Sequence, residues 1–221
     1  MKKFMFLVFF FTTLVSCDHA DVQQPQIIHV VEKPVINLVA LGDVPTSDIQ
    51  FVKKELEDFY NVNVVLRKQL PMIDELRVNG TGKYQANNIL NFLNENFKNV
   101  EGKVLAITKK DICTDRSLNG VIRKNWGIYG LGSLGGKTCV VSTYRFNKKY
   151  HQKLSKVSIH EIGHTLGIPH CNTNSNCLMN DAKGKGSNVD STNKWMCSEC
   201  RKKIRWDEHK PILTMGMGNL K

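Results

Sequence analysis

"HEIGHTLGIPHC", residues 160–171, places three histidines, one glutamate and one cysteine within twelve residues. On a helix, His160 and His164 stand one turn apart on the same face, so both imidazoles can reach a single ion. Glu161 is then beside the first of them, near the ion without having to bind it. Gly167 follows His164 by three residues, and a helix running straight on would carry His170 past the ion. Glycine accepts positive φ and can end the helix there. Pro169 reinforces the stop, and the returning chain offers His170 as a third nitrogen.

The short form HExxH also arises as an ordinary polar helix face. The extended string HExxHxxGxxH is the metzincin signature: three histidines for one zinc, and a glutamate placed to take a proton from a water activated by the metal. The pattern predicts a helix over 151–167 that carries His160, Glu161 and His164. A metzincin also has a methionine in a turn beneath its metal. "NCLMND" supplies Met179, nine residues after His170, although a lone methionine is as readily core packing.

Seven cysteines stand at 17, 113, 139, 171, 177, 197 and 200. Cys171 directly follows the third histidine, Cys177 comes next, and Cys197 and Cys200 form a C-x-x-C pair. Two pairs of thiolates match a structural tetrahedral zinc site, whose filled coordination leaves no place for substrate. Two disulfides are the alternative in an oxidising compartment, with Cys197–Cys200 a tight, redox-active one. Cys113 and Cys139 remain as a further candidate disulfide whose separation sequence does not give.

Upstream of the motif, strands alternate with helices. "VINLVAL" from Val35 reads as a buried strand and "TSDIQFVKKELEDFY" as a helix, with Ser47 and Gln50 in a capping box and Ile49, Val52, Leu56 and Phe59 at helical spacing. "VNVVLR" is a second strand, 68–82 a surface loop, "YQANNILNFLNENF" a second helix and "KVLAIT" a third strand. This order predicts an α/β fold with a mainly parallel sheet. "WGIYGLGSLGGKTCVVSTYRF" reads as two short strands around a glycine-rich turn, a hairpin or irregular edge.

The chain has 221 residues, 41% of them hydrophobic, and a formal charge of +11, which suits one domain with a real core. Its first residues, "MKKFMFLVFFFTTLVSC", hold a basic pair and an apolar run too short to span a bilayer comfortably. Leu14-Val15-Ser16-Cys17 resembles a bacterial lipobox, which predicts cleavage before Cys17 and lipid on that cysteine. An ordinary secretory signal is the alternative. Loss of residues 1–17, with two lysines and no acid, lowers the charge from +11 to +9. The divisions expected are a signal peptide at 1–17, a tether at 18–34, the domain at 35–206 and a tail at 207–221.

The segment 160–200 resembles the archaemetzincins, which are recognised by the extended histidine motif followed at once by a cysteine, a second cysteine in C-x-M, a 17-residue spacer and C-x-x-C. Here these are His170-Cys171, Cys177-Leu178-Met179, residues 180–196 and Cys197-Ser198-Glu199-Cys200. One departure is the gap between Cys171 and Cys177, five residues where the family has four, in a loop of Asn, Thr and Ser that absorbs an insertion easily. "INLVALGDV", "GKYQANNILNFL", "LAITKKDIC" and "VVSTYRF" extend the likeness over roughly 35–203.

The resemblance implies a zincin-like metzincin fold, with a mixed, mostly parallel sheet, an edge strand, an active-site helix and a small C-terminal subdomain pinned by a second zinc. It implies a zinc metallopeptidase with two zinc ions: one catalytic, on His160, His164 and His170 with Glu161 as general base above the Met179 turn, and one structural, on Cys171, Cys177, Cys197 and Cys200. The segments at 126–132 and 139–144 are expected to offer an edge strand to extended peptide. A monomer is expected, lipid-anchored at the bacterial cell envelope and acting on peptides or proteins there. One rival reading is a non-catalytic, zinc-stabilised envelope protein that binds peptides or a partner, against which Glu161 argues. Another is a nucleic-acid binder suggested by the positive charge, against which the export signal argues; no nucleic acid is expected as a partner. Net charge favours acidic peptides only loosely, because it does not define a pocket.

Overall fold

The computed structural model describes residues 33–183 and 186–206. The expected signal peptide, Cys17, most of the tether and the tail therefore lie outside the described residues. In chain order the elements are β1 (Val35–Ala40), α1 (Thr46–Tyr60), β2 (Asn63–Leu66), a 3-10 turn (Asp74–Leu76), β3 (Tyr84–Gln85), α2 (Ala86–Asn96), β4 (Lys103–Thr108), β5 (Ile112–Leu118), β6 (Val121–Ile128), β7 (Gly130–Gly132), β8 (Thr138–Ser142), α3 (Tyr150–Thr165), α4 (Gly186–Ser191) and α5 (Ser198–Arg201).

β1 is apolar on both faces because both are covered. A strand's side chains alternate. Ile36 and Leu38 enter one core with Leu105, Ile107 and Val141, packed by α1 and α3. Val39, Val104, Ala106 and Val140 enter a second core, packed by α2. The sheet runs β2-β1-β4-β8-β7, and β7 is its antiparallel member. Helices α1 and α2 carry the chain between the parallel strands β1, β2 and β4, the β5–β6 hairpin and β7 make the crossover from β4 to the parallel β8, and the short return from β7 to β8 imposes a hairpin. The sheet therefore has the mixed, mostly parallel form expected. α1 steadies α3 from the side, with the Tyr60 hydroxyl donating to Ile159 O at 2.7 Å, next to His160.

Several details depart from the sequence reading. The capping box does not form: Pro45 is the N-cap of α1, and Ser47 already lies within the first turn. Pro45 O accepts from the amides of Asp48 and Ile49, so the helix starts on a backbone turn instead. Residues 68–82 are more than a surface loop, since Leu76 is buried and Met72 and Ile73 pack into the α2 core. Cys113 and Cys139 form no disulfide. They are buried in different sheets, one on β5 and one on β8, and both are free.

β5 and β6 form a hairpin that the sequence reading did not anticipate, in a second sheet ordered β3-β5-β6. Its turn is Asn119-Gly120, both at positive φ (50° and 78°), as a two-residue hairpin loop requires. Arg145, in the chain between β8 and α3, holds the base of this hairpin. It donates to Asp111 through Nε at 2.8 Å and Nη2 at 2.7 Å. Both partners are partly buried, so Arg145→Ala leaves a carboxylate without its two charged donors. The expected loss is about 2 kcal/mol of stability, read as a lower urea midpoint.

Candidate functional site

The chain beyond α3 turns back as its glycine requires. Gly167 has φ +85°, its amide bonds to His164 O at 2.9 Å, and the Ile168 amide bonds to Gly163 O at 3.0 Å. These two bonds are the pair of a Schellman stop. The same turn presents Ile168 O to His164, whose Nδ1 donates to it at 2.8 Å. His160 Nδ1 likewise donates to Leu178 O at 2.8 Å. Each ring thus commits one nitrogen to a carbonyl and keeps Nε2 for a metal, the usual outer-shell arrangement of metal-binding histidines.

His170 joins them: ring centroids lie 4.6, 5.4 and 4.8 Å apart for the pairs 160–164, 160–170 and 164–170. One ligand nitrogen from each lies within 4.8 Å of the others. Burial pushes His160 down to about 3 and His164 to about 4, with neighbouring histidine charge adding to it, so both imidazoles are neutral at physiological pH and ready to ligate. Burial also raises the Glu161 carboxyl, to about 8, and a cation on the adjacent histidines would draw it back down to the carboxylate that a base has to be. That carboxyl lies against β7: a Cβ at Gly130 would stand 2.6 Å from Glu161 Oε1. Met179 puts its sulfur against Gly163, between the two helix histidines; a Cβ there would be 2.7 Å from Sδ.

The four cysteines converge as well. Their sulfurs all lie within 4.8 Å of one another, with Cys171–Cys197 and Cys177–Cys200 both at 3.8 Å. Four sulfurs in a tetrahedron at about 2.3 Å from zinc are about 3.8 Å apart. All four cysteines are free and buried, so the disulfide alternative is not what the structure adopts. Burial pushes the Cys177 and Cys200 thiols up, and a cation at the centre is what would hold the set as thiolates. The two donor sets fit a catalytic zinc and a structural zinc respectively. A cleft of about 530 Å³ opens beside the histidines, walled by α3, β7, residues 178–182 and α4.

The sequence reading missed part of this wall. Thr114 and Arg116 come from the β5–β6 hairpin, and Arg116 donates to Asp181 at 2.7 Å across the cleft. A register shift between Thr114 and Arg116 bends the strand there. The Asn119-Gly120 dipeptide was the signal for the hairpin; nothing local marked Asp181. Of the segments expected to form the edge, 130–132 is the edge of the five-stranded sheet and 126–128 belongs to β6, an edge of the other sheet, whereas β8 is interior, between β4 and β7.

Gly167→Ala tests the turn. Only Lys203 O, at 3.9 Å, lies near a Cβ there, so the cost is that of φ alone, about 1–2 kcal/mol. The variant is expected to melt earlier and to bind zinc at the histidines less tightly in competition with a chelator.

Comparison with known proteins agrees with this geometry. The sequence model of peptidase family M54 matches residues 49–206. An archaemetzincin of Natronomonas pharaonis is 29% identical over 182 residues, covering 76% of this chain and 98% of that protein. The crystal structure of an Archaeoglobus fulgidus archaemetzincin complexed with malonate superimposes with a TM-score of 0.64 at 26% identity, over 77% of this chain and 99% of that one. A Methanopyrus kandleri archaemetzincin, at 24% identity, has the same fold with a TM-score of 0.63, over 79% of this chain and 94% of that one.

Proposed function

This chain belongs to peptidase family M54, and on that premise we propose that Glu161 is the general base of a zinc-dependent peptide hydrolysis carried out at the cell envelope. The observation that carries the reading is the position of the Glu161 carboxyl. It lies between the helix face of His160 and His164 and the strand β7, a place that metal binding alone does not require. Zinc on the three histidines supplies a Lewis acid that polarises the scissile carbonyl and acidifies water. Glu161 accepts the proton of the attacking water and later delivers it to the departing amine.

β7 pairs with β8 alone among the described residues, so its other side is open to an extended peptide in strand pairing. Glycines at 130 and 132 let this strand lie close enough to α3 for Glu161 to face the peptide bond held there. The carbonyls of Leu178 and Ile168 keep His160 and His164 in one tautomer and one orientation through the cycle. Cys171, Cys177, Cys197 and Cys200 hold the second zinc, closed to substrate. The envelope location and lipid attachment at Cys17 rest on residues 1–17, whose basic, apolar and lipobox-like order supports export.

Glu161→Gln keeps the shape of the side chain and removes the base. Zinc content is expected to stay as in the unaltered chain while peptide turnover falls by about a thousandfold. Turnover retained in this variant would refute the role given to Glu161.

A further inference from the structure

The cleft continues from the histidines toward α4, between largely apolar walls that include Tyr129, Val157 and Val189. Lys156 stands in this wall, four residues before His160 and so on the same face of α3. Its Nζ donates to Thr192 O at 2.6 Å, Val189 O at 3.0 Å and Asp190 O at 3.3 Å. Three carbonyls fix the ammonium in place and occupy its three donors, but they do not neutralise it. The arginine of the cleft is matched, Arg116 with Asp181 at 2.7 Å, and so is the neighbouring Lys153 of α3, with Asp190 at 3.2 Å. Lys156 makes no ion pair among the described residues. Burial pushes its pKa down, and the charges of Lys149 and Lys153 add to that while Asp190 opposes it. A cation is therefore held in an apolar wall without a counter-charge of its own.

We propose that the part of the cleft walled by Lys156 and α4 is a carboxylate-binding subsite, with Lys156 as its specificity-determining residue. This rests on the hydrolytic reading of the zinc site given above. Lys156 and His160 leave α3 one helical turn apart, about 5.4 Å along the axis, and both line the one cleft. A residue flanking the scissile bond brings its side chain, or its terminal carboxylate, within that reach. The 3.3 Å bond to Asp190 O is the longest of the three and the one an incoming carboxylate oxygen replaces. The preference belongs to the pocket, and the overall charge of the chain does not enter it.

Binding and cleavage are measured separately. The zinc-loaded Glu161→Gln chain is titrated, by fluorescence anisotropy, with labelled peptides that differ only as Glu against Gln at one internal position, and with pairs that have a free or an amidated C-terminus. At least one carboxylate-bearing member is expected to bind about tenfold tighter than its neutral counterpart. Discrimination on the internal pair assigns the subsite to an acidic side chain; discrimination on the terminal pair assigns it to the C-terminal carboxylate. Adding Lys156→Met is expected to bring the ratio close to one, and adding Lys156→Arg to keep it. The Arg variant also separates loss of charge from any loosening of α4. Equal affinities within both pairs, a ratio unchanged by Lys156→Met, or no binding of any peptide would overturn the proposal. The same peptides given to the unaltered chain test hydrolysis on its own. Cleavage without preference refutes the subsite and leaves the peptidase reading standing, while Lys156-dependent binding without cleavage does the reverse.

Discussion

The left-handed turn at Gly167 is the constraint on which the site depends. It ends α3 directly after the two helix histidines and offers Ile168 O to the ring of His164. It also sends the chain back so that His170 meets the other two within 4.8 Å. A side chain at that position would resist the same φ, and a helix that continued would remove the third ligand. The return of His170, the orientation of the His164 ring and the direction of the chain toward the second cluster are favoured by one residue's lack of a Cβ.

The second cluster in turn holds the first. Cys171 is bonded to His170 in the chain, and Cys177 to Leu178, whose carbonyl orients His160. The first two sulfurs of the quartet are thus each one residue from a part of the histidine site. The Cys171 amide donates to Met179 O at 2.8 Å, which closes the loop between them. A zinc held by four sulfurs fixes the segment after His170 and the methionine turn against Cys197 and Cys200 at the start of α5. This gives the cysteines a mechanical part in a reaction they do not touch. It also accounts for why a one-residue longer loop between Cys171 and Cys177 is tolerated: the sulfurs still reach the 3.8 Å spacing of a tetrahedron.

Local chemistry decided what could be read from the sequence. The histidines, Glu161, Gly167 and the cysteines act through fixed spacings, so their positions carried their geometry. The sheet and its helices were legible for the same reason, through apolar runs and helical periodicity. The missing parts depend on contacts distant in sequence. Arg116 meets Asp181 across 65 residues, and its hairpin lies in a second sheet that periodicity alone does not connect to the cleft. Lys156 was visible one turn before His160, but its place in a wall beside α4 needs the fold of residues 186–192. The Ser47–Gln50 pattern failed because Pro45 starts α1 on a backbone turn two residues before the Ser47 cap that the pattern requires. Cys113 and Cys139 could not be judged until the topology placed them in separate sheets.

The most direct test is the zinc content of the chain as purified, together with X-ray absorption at the zinc edge. The two donor sets require two zinc ions per chain, one with an all-sulfur shell and one with a nitrogen and oxygen shell. A single zinc bound through sulfur alone would contradict the catalytic site, and a chain that carries none and takes none up on reconstitution would contradict the whole account.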